Sequence, residues 1–524
     1  MAGGYVSVVA RGTQDAYLTS KPQVTNWKAV YKRTTIFATE SIEQVFSGSA
    51  DFGKKATCTF QRQGDLIDKI YVRAVLPVLG EGQCWCPRVG HAMIKNVVLM
   101  VGGTVLDTQC GDWMNVEYEL SRDLNKAESY ERMIGDTAEL TVPSGGTPQT
   151  TLWIPLRFSN CKEHGLALPF IALQYHDIRV EVEFQPLSKL VCGRNAASAT
   201  GSLVSCSIYA DFVFLGQVER KKFAEATHEY LIEQVQHNGG ESVTSQSQKF
   251  RVDFNHPCKD FNINVQQTKY ISGQKFMAWN PKDVEAMRIL ATKRIASAWG
   301  DLSTNGFFVG GSVADAGLRQ AITDAKVGGL DVSGATDIND PDMLVVAGAP
   351  LDDRYISMTV HELRALVGSA VDADRPGSGF ASASHDVVVN DWTNYGIFLN
   401  KRVSPVSQVL IQLNNSDRLS KRESMYFDCV QPWQCYRSAP TAGLLAYSFA
   451  LDPIAHQPGG TTNMSRIDNA AIHIEFVTRT NVLVNGSWAD IEVRPYASAI
   501  CNIYSKNYNI FRCIGGMGGM GFAN

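Results

Sequence analysis

In "IRVEVEF", Ile178, Val180, Val182 and Phe184 take every second position, and Arg179, Glu181 and Glu183 fill the positions between. A period of two sends one set of side chains into a core and turns the other outward, which predicts a strand. "LIDKIYVRAVL" repeats the pattern with Ile70, Val72, Ala74 and Leu76 on one face. "KNVVLMVGGTVLDT" reads as two strands around Gly102–Gly103, since both glycines accept the positive φ of a tight hairpin. "TTLWIPLRF" and "SCSIYADFVFLG" add further β runs, while "DLNKAESYERMIGD" (123–136) reads as one short helix. Many short strands punctuated by turns predict a sandwich or jelly roll.

From about residue 235 the order of elements begins again. "FRVDFNHPCKDFNINV" gives alternating runs, and "SQVLIQLNNSDRLSKRESMYF" gives strand, polar turn and strand, like the 95–115 hairpin. "LLAYSFAL" parallels "TTLWIPLRF". "AAIHIEF", with Ile472, Ile474 and Phe476 on one face, parallels "IRVEVEF". The same order twice predicts an internal duplication of one β domain. A long insertion at about 270–400 interrupts the second copy; its helix-compatible segments are separated by Gly, Ser and Asp, as in a surface feature that makes contacts. The tail "GGMGGMGFAN" cannot bury much alone, so it is expected to fray or to order only against a neighbour.

Composition narrows the functional classes. At 524 residues the chain is too long for one core. Its 19% of charged residues lies below the usual quarter, which favours β structure over long solvated helices. The net charge of −4, without a long basic run, disfavours direct packaging of nucleic acid. Residues 1–40 depart locally: Arg11, Lys21, Lys28, Lys32 and Arg33 face only Asp15 and Glu40. The twelve cysteines include the pair Cys84 and Cys86 but no second pair at zinc-ribbon spacing, and they are read as reduced core residues. No apolar run approaches the roughly 18 residues of a membrane span, and the first dozen residues lack the pattern of a secretion signal.

Chemistry is sparse. "GSADFGKK" comes nearest to a phosphate loop, but Lys55 stands where a metal-binding hydroxyl is needed. "HELRAL" has Ala365 where a second zinc-binding His belongs. In "HEYLIEQ", His228, Glu229 and Glu233 lack a paired histidine. "QYHD" (Gln174 to Asp177) is the best catalytic candidate, yet neighbouring residues on a strand point to opposite faces, so His176 and Asp177 do not meet easily. Tyr175 and His176 are therefore expected to satisfy loop backbone groups. Catalytic, cofactor and metal sites are all expected to be absent. Sequons at Asn414, Asn463 and Asn485 mark candidate glycan positions.

Longer stretches carry a resemblance. "QDAYLT" (14–19), "FATESI" (37–42), "GLALPFIALQYHDI" (165–178), "HEYLIEQVQ" (228–236), "FNHPCK" (254–259), "YSFALDPIAHQPGGTTNMSRIDNA" (447–470) and "NIYSKNYNIFRCIGGMGGMGFAN" (502–524) run in order along the chain. Together they resemble the major capsid proteins of nucleocytoplasmic large DNA viruses, the iridovirus, phycodnavirus and mimivirus group, and most of all the algal-virus members. The insertion at 270–400 matches nothing in that pattern.

The resemblance implies an all-β protein with two tandem jelly rolls, a double jelly roll. The expected division is an N-terminal arm at 1–26, a first jelly roll at 27–222 and a connector at 223–240. A second jelly roll follows at 241–510, with the insertion, and then a glycine-rich tail at 511–524. It further implies a homotrimeric capsomer that contacts neighbouring capsomers and tiles an icosahedral shell. Minor capsid and vertex proteins are expected as partners, with a lipid membrane beneath the shell and no direct nucleic acid. The protein would reside in the virion after synthesis and assembly in the host cytoplasm. Competing classes are a carbohydrate-binding or a hydrolytic double β-sandwich protein, which would need an aromatic platform or a nucleophile.

Overall fold

Eight strands build the two facing sheets of the first half of the chain. They are β1 (Phe37–Gln44), β2 (Lys55–Thr59), β3 (Leu66–Leu76), β4 (Ile94–Val101), β5 (Thr104–Gln109), β6 (Thr150–Pro155), β7 (Ile178–Phe184) and β8 (Ser205–Leu215). Eight more build the second: β9 (His228–His237), β10 (Ser247–Val252), β11 (Asp260–Gln267), β12 (Val406–Leu413), β13 (Ser416–Glu423), β14 (Leu445–Ser448), β15 (Ala470–Phe476) and β16 (Ala499–Ile514). A last short strand, β17 (Met517–Met520), pairs back on β16. This computed structural model describes residues 3–267 and 404–522 with short breaks at 81–82, 142–145, 194–198, 441–442, 478, 485–486 and 493–498, together with 308–309 and 312–313. The helix-compatible segments expected at 270–400 lie outside the described residues.

The sheet orders repeat. In the first half one sheet runs β1-β8-β3-β6 and the facing sheet β2-β7-β4-β5. In the second half the facing sheet runs β10-β15-β12-β13, and around β16 lie β9 on one edge and β11, then β14, on the other. Each strand of the second half thus occupies the place of the strand eight before it. This is the jelly-roll order twice, so the duplication inferred from the sequence holds at the level of strand pairing.

The cores follow from the alternation. Ile178, Val180, Val182 and Phe184 are buried while Arg179 is exposed, and Ile472, Ile474 and Phe476 do the same in β15. Val101 pairs with Thr104 around Gly102 and Gly103, both at positive φ. Burial of each apolar side chain contributes roughly 1.5–3 kcal/mol, which is why a period-two pattern fixes the register so firmly. Among the described residues the cysteines are free thiols, and Cys58, Cys84, Cys86, Cys258 and Cys501 are buried.

Four departures from the sequence reading matter. A helix, α1 (Gly111–Ser121), stands where no element was expected, and nearly every residue in it is buried. The segment at 123–136 is a 3-10 turn, Leu124–Lys126, followed by α2 (Ala127–Ile134). The segment "VERKKFAEATHEYLIEQ" holds the short helix it allows, α3 (Gln217–Glu225), but most of the expected connector is β9, a full-length strand hydrogen-bonded along β16. The glycine-rich tail is not left to a neighbour. Phe511 and Cys513 join the first core, and β17 pairs with β16, with Gly518 leaving room for the side chains of Leu173 and Phe511.

The two halves lie side by side with like ends together. At one end sit Phe37 beside Leu215, the Gly102–Gly103 turn, residues 174–177 and the β16–β17 turn. At the other end sit α1, α2 and the points where the described chain leaves at Gln267 and returns at Ser404. The N-terminal residues before β1 form two short helices, Gly3–Val9 and Thr13–Thr19, with no buried residue in either.

Candidate functional site

The most elaborate assembly of polar groups is the seam between the halves. There the free edge of β9 meets β5. The Val235 amide donates to Asp107 Oδ1 at 2.9 Å, and Gln234 Nε2 donates to the Leu106 carbonyl at 2.5 Å. One sheet's edge is therefore sealed by the other half, which removes an exposed row of backbone donors and acceptors. Burial pushes the Asp107 carboxyl up to about 6, against hydrogen bonds from Val235 and Gln109 that hold it down.

Apolar contacts flank this junction. Toward the α1 end, Trp113, Val116 and Leu120 pack against Tyr436, Leu444 and Tyr504 of the second half. The Tyr504 hydroxyl donates to Asp112 Oδ2 at 2.7 Å, and Asn264 Nδ2 reaches the same oxygen at 2.9 Å. Toward the other end, Ile232 and Phe511 enter the first half's core. Helix α1 can do this because Cys110 caps it, its Sγ accepting from the Trp113 amide.

A chain of alternating charges crosses the seam. Lys162 Nζ lies 2.5 Å from Glu117 and 3.4 Å from Glu233, and Lys259 Nζ lies 2.5 Å from the other Glu233 oxygen. Arg157 Nε donates to Glu117 at 3.2 Å, and Lys506 Nζ approaches Asp260 at 3.2 Å. Burial would raise Glu117, but Lys162 and Arg157 hold it at about 2. Burial acts on Glu233 in the same way, and Lys162 and Lys259 pull it below the usual carboxylate range. Buried ion pairs add little net stability compared with apolar packing, yet breaking one is costly. Such a chain fixes how one half sits on the other.

The QYHD segment is spent on holding the tail. Arg62 donates to the carbonyls of Phe170, Leu173, Gln174 and His176, fixing the loop. The Tyr175 amide donates to the Gly516 carbonyl at 3.0 Å, and the Gly518 amide donates to His176 Nδ1 at 3.1 Å. So His176 serves the tail's backbone instead of its own loop's, and the Tyr175 side chain is exposed. Asp177 faces Arg179 at 3.7 Å, with both exposed, and does not orient His176.

The other sequence candidates are also dispersed. His228 Nε2 donates to the Phe223 carbonyl at 2.8 Å, Glu229 pairs with Arg512 at 2.8 Å, and Glu233 sits in the seam. Among the described residues no three His, Cys, Asp or Glu side chains gather to hold a metal, and no helix is long and apolar enough to cross a membrane. Asn414 turns the β12–β13 hairpin at φ +48°, and Asn463 is exposed, its side chain accepting from the Ser465 amide. Asn485 lies outside the described residues. Sequence reasoning missed Arg62, Lys162 and Lys259 as structural centres, since nothing in their local pattern marks a cation with several distant partners.

Comparison with known proteins agrees along the whole length. The family described as large eukaryotic DNA virus major capsid protein matches residues 219–519, and that described as major capsid protein N-terminus matches 25–216. The two matches meet at the start of α3. The major capsid protein of Phaeocystis pouchetii virus is 34% identical, covering 100% of both chains. That of Paramecium bursaria Chlorella virus 1 is 32% identical, again over 100% of each. The crystal structure of PBCV-1 VP54, fitted into a reconstruction of the virophage Sputnik, superposes with a TM-score of 0.67 at 28% identity, covering 95% of this chain and 100% of that one.

Proposed function

The chain belongs to the major capsid proteins of large eukaryotic DNA viruses, and from that premise we propose that three copies close into a capsomer that tiles an icosahedral shell. As a major capsid protein it is a component of the virion. The observation that carries the trimer is the strand-for-strand repeat. Three chains of two similar domains offer six similar sides, so a three-fold ring fills a hexagonal lattice site and can meet six neighbours through related contacts.

Several finer readings follow from the same arrangement. The working division of the chain falls at α3, between two domains that the seam keeps in one orientation. The arm end faces the particle interior, where minor capsid proteins or anionic lipid headgroups receive the basic residues and the exposed Tyr17 and Trp27. The insertion, leaving at Gln267 and returning at Ser404, belongs to the outer end and clasps neighbouring subunits. Asn414 and Asn463 remain glycan candidates, to be checked by the mass lost on glycosidase treatment. The role is structural, without turnover, and assembly takes place in the host cytoplasm.

Electron microscopy of the purified full chain tests the reading. Class averages should show three-fold particles with a hexagonal outline. Single two-lobed particles at every concentration would overturn it.

A further inference from the structure

Helix α1 has two buried faces. Trp113, Val116 and Leu120, three and four residues apart, meet the second half. Asn115, Tyr118 and Glu119 meet Arg88, the residue before the short helix Val89–Ala92. Arg88 Nη2 lies 2.6 Å from Glu119 Oε1, and its Nε lies 3.3 Å from Asp136 Oδ2, just after α2. Its Nη1 donates to Asn115 Oδ1, and its guanidinium carbon lies 5.1 Å from the centre of the Tyr118 ring. The Arg88 side chain is 1% exposed and both carboxylates are 0% exposed. Two buried carboxylates therefore share one buried cation.

We infer that this cluster is a proton-operated latch: one proton shared between Glu119 and Asp136 keeps α2 fastened against α1, and its loss as pH rises frees α2. The device goes beyond the capsid reading and does not depend on how many chains assemble.

Charge is the first observation behind it. Two like charges at one site do not both ionise without cost, and a single guanidinium offsets one of them. Asp136 Oδ1 and Glu119 Oε2 are buried with no hydrogen-bond partner among the described residues, which is costly for an ionised carboxylate. Glu119 has the shorter contact with Arg88 and so takes the negative charge, leaving the proton to Asp136. Burial pushes the Asp136 carboxyl up to about 7, and Glu131 and Glu119 add to the rise against the pull of Arg88.

The other groups around the cluster keep their charge through this range. Burial and Arg88 hold His91 well below its usual range, so its ring stays neutral, with Nε2 2.8 Å from the Tyr130 hydroxyl. Burial pushes the Tyr118 and Tyr130 hydroxyls and the Cys86 thiol upward. The Tyr118 hydroxyl donates to Glu131 of α2 at 3.2 Å. Arg157 is paired with Glu117, and Arg122 donates to Ser438.

The second observation is backbone strain. Arg88 sits at φ +50°, a left-handed conformation that a non-glycine residue keeps only where its surroundings impose it. Gly135, next to Asp136, is at φ +79°, and a Cβ there would fall 2.7 Å from Val89. Asp136 is thus seated tightly on the short helix that Arg88 opens.

The third is how lightly α2 is held. Ile134 is its one buried residue, and elements with few buried contacts open first. Once ionised, Asp136 is repelled by Glu119 and Glu131, and α2 is the element that gives way. The sign follows from the raised value. The unfolded chain releases this proton near 3.8 and the folded chain near 7, so the stabilisation is complete below 3.8, shrinks as pH rises and is gone above 7.

Hydrogen exchange of the full chain, corrected for the intrinsic pH dependence of exchange, tests the latch. Amides of α2 should lose protection by roughly tenfold or more between pH 5 and pH 8, relative to those of β7. The reference strand is needed because Asp107 titrates in the same range. Asp136→Asn carries a neutral group at every pH and should keep α2 protected throughout. Glu119→Gln leaves Asp136 as the sole carboxylate on Arg88 and should also flatten the profile. Wild-type protection of α2 that does not change relative to β7 overturns the latch, whether or not the variants fold. A profile as steep as the wild type's in either variant overturns it as well.

Discussion

Lys259 Nζ lies 2.5 Å from Glu233 Oε1, and both residues are buried, so one carboxylate holds a cation that has left water entirely. The second oxygen of Glu233 serves Lys162. Glu233→Ala should leave Lys259 without its carboxylate partner, and removing one member of a buried pair costs about 3–5 kcal/mol. Urea denaturation should show a loss of that size, with Glu233→Gln losing less. A loss below about 1 kcal/mol, the range of exposed ion pairs, would mean that the seam does not depend on this group.

Acid should loosen the seam through Glu117. Its folded-state value of about 2 lies below the ordinary 4.5, so its contribution is complete above pH 4.5 and is lost as pH falls toward 2. That contribution is on the order of 3 kcal/mol. Asp107 has the opposite sign: raised from 3.8 to about 6, it costs stability as pH rises through that window. Thermal melts from pH 2 to 7 should show a steep acid limb that flattens in Glu117→Gln. An unchanged limb in that variant would assign acid sensitivity elsewhere.

Glycine is required by contact in the tail and in the β4–β5 turn beside it. A Cβ at Gly518 would fall 2.8 Å from Leu173 and from Phe511, and one at Gly102 would fall 2.2 Å from His176 Nδ1. Gly518→Val and His176→Ala should both release the tail, seen as faster proteolytic trimming after residue 514 and a lower assembly yield. Assembly at the wild-type level from either variant would show that the docked tail has no part in it.

Removing residues 1–25 should leave the trimer intact. The helices in this arm have no buried residue. Shell formation, or attachment to inner components, should fail instead, and added salt should mimic the defect partially because exposed charges are screened within about 10 Å at 0.1 M. Normal particles from the truncated protein would leave the arm without an assembly role.

Much of the fold was legible because alternation is local. Ile178 to Phe184 and Ala470 to Phe476 declare their buried faces over seven residues each, and their likeness exposed the duplication. Helix α1 was not legible, because a helix buried almost all round shows no amphipathic period. The seam was hidden for a different reason. Lys162, Glu233 and Lys259 are far apart in sequence, and each reads locally as a surface charge. The docking of β9 on the loop after β6 brings Lys162 to Glu233, and the pairing of β9 with β16, where Lys259 bonds Lys506, brings Lys259. The QYHD cluster misled in the other direction: its polar side chains suggested chemistry, while the group that His176 serves lies more than 300 residues away in the tail.

The central claim is tested most directly by the native mass of the purified full chain. One chain has a mass of 57.5 kDa. The expected result is a single dominant species at three times that value, persisting on dilution into the nanomolar range. A species at the single-chain mass, unchanged as concentration rises, would contradict it.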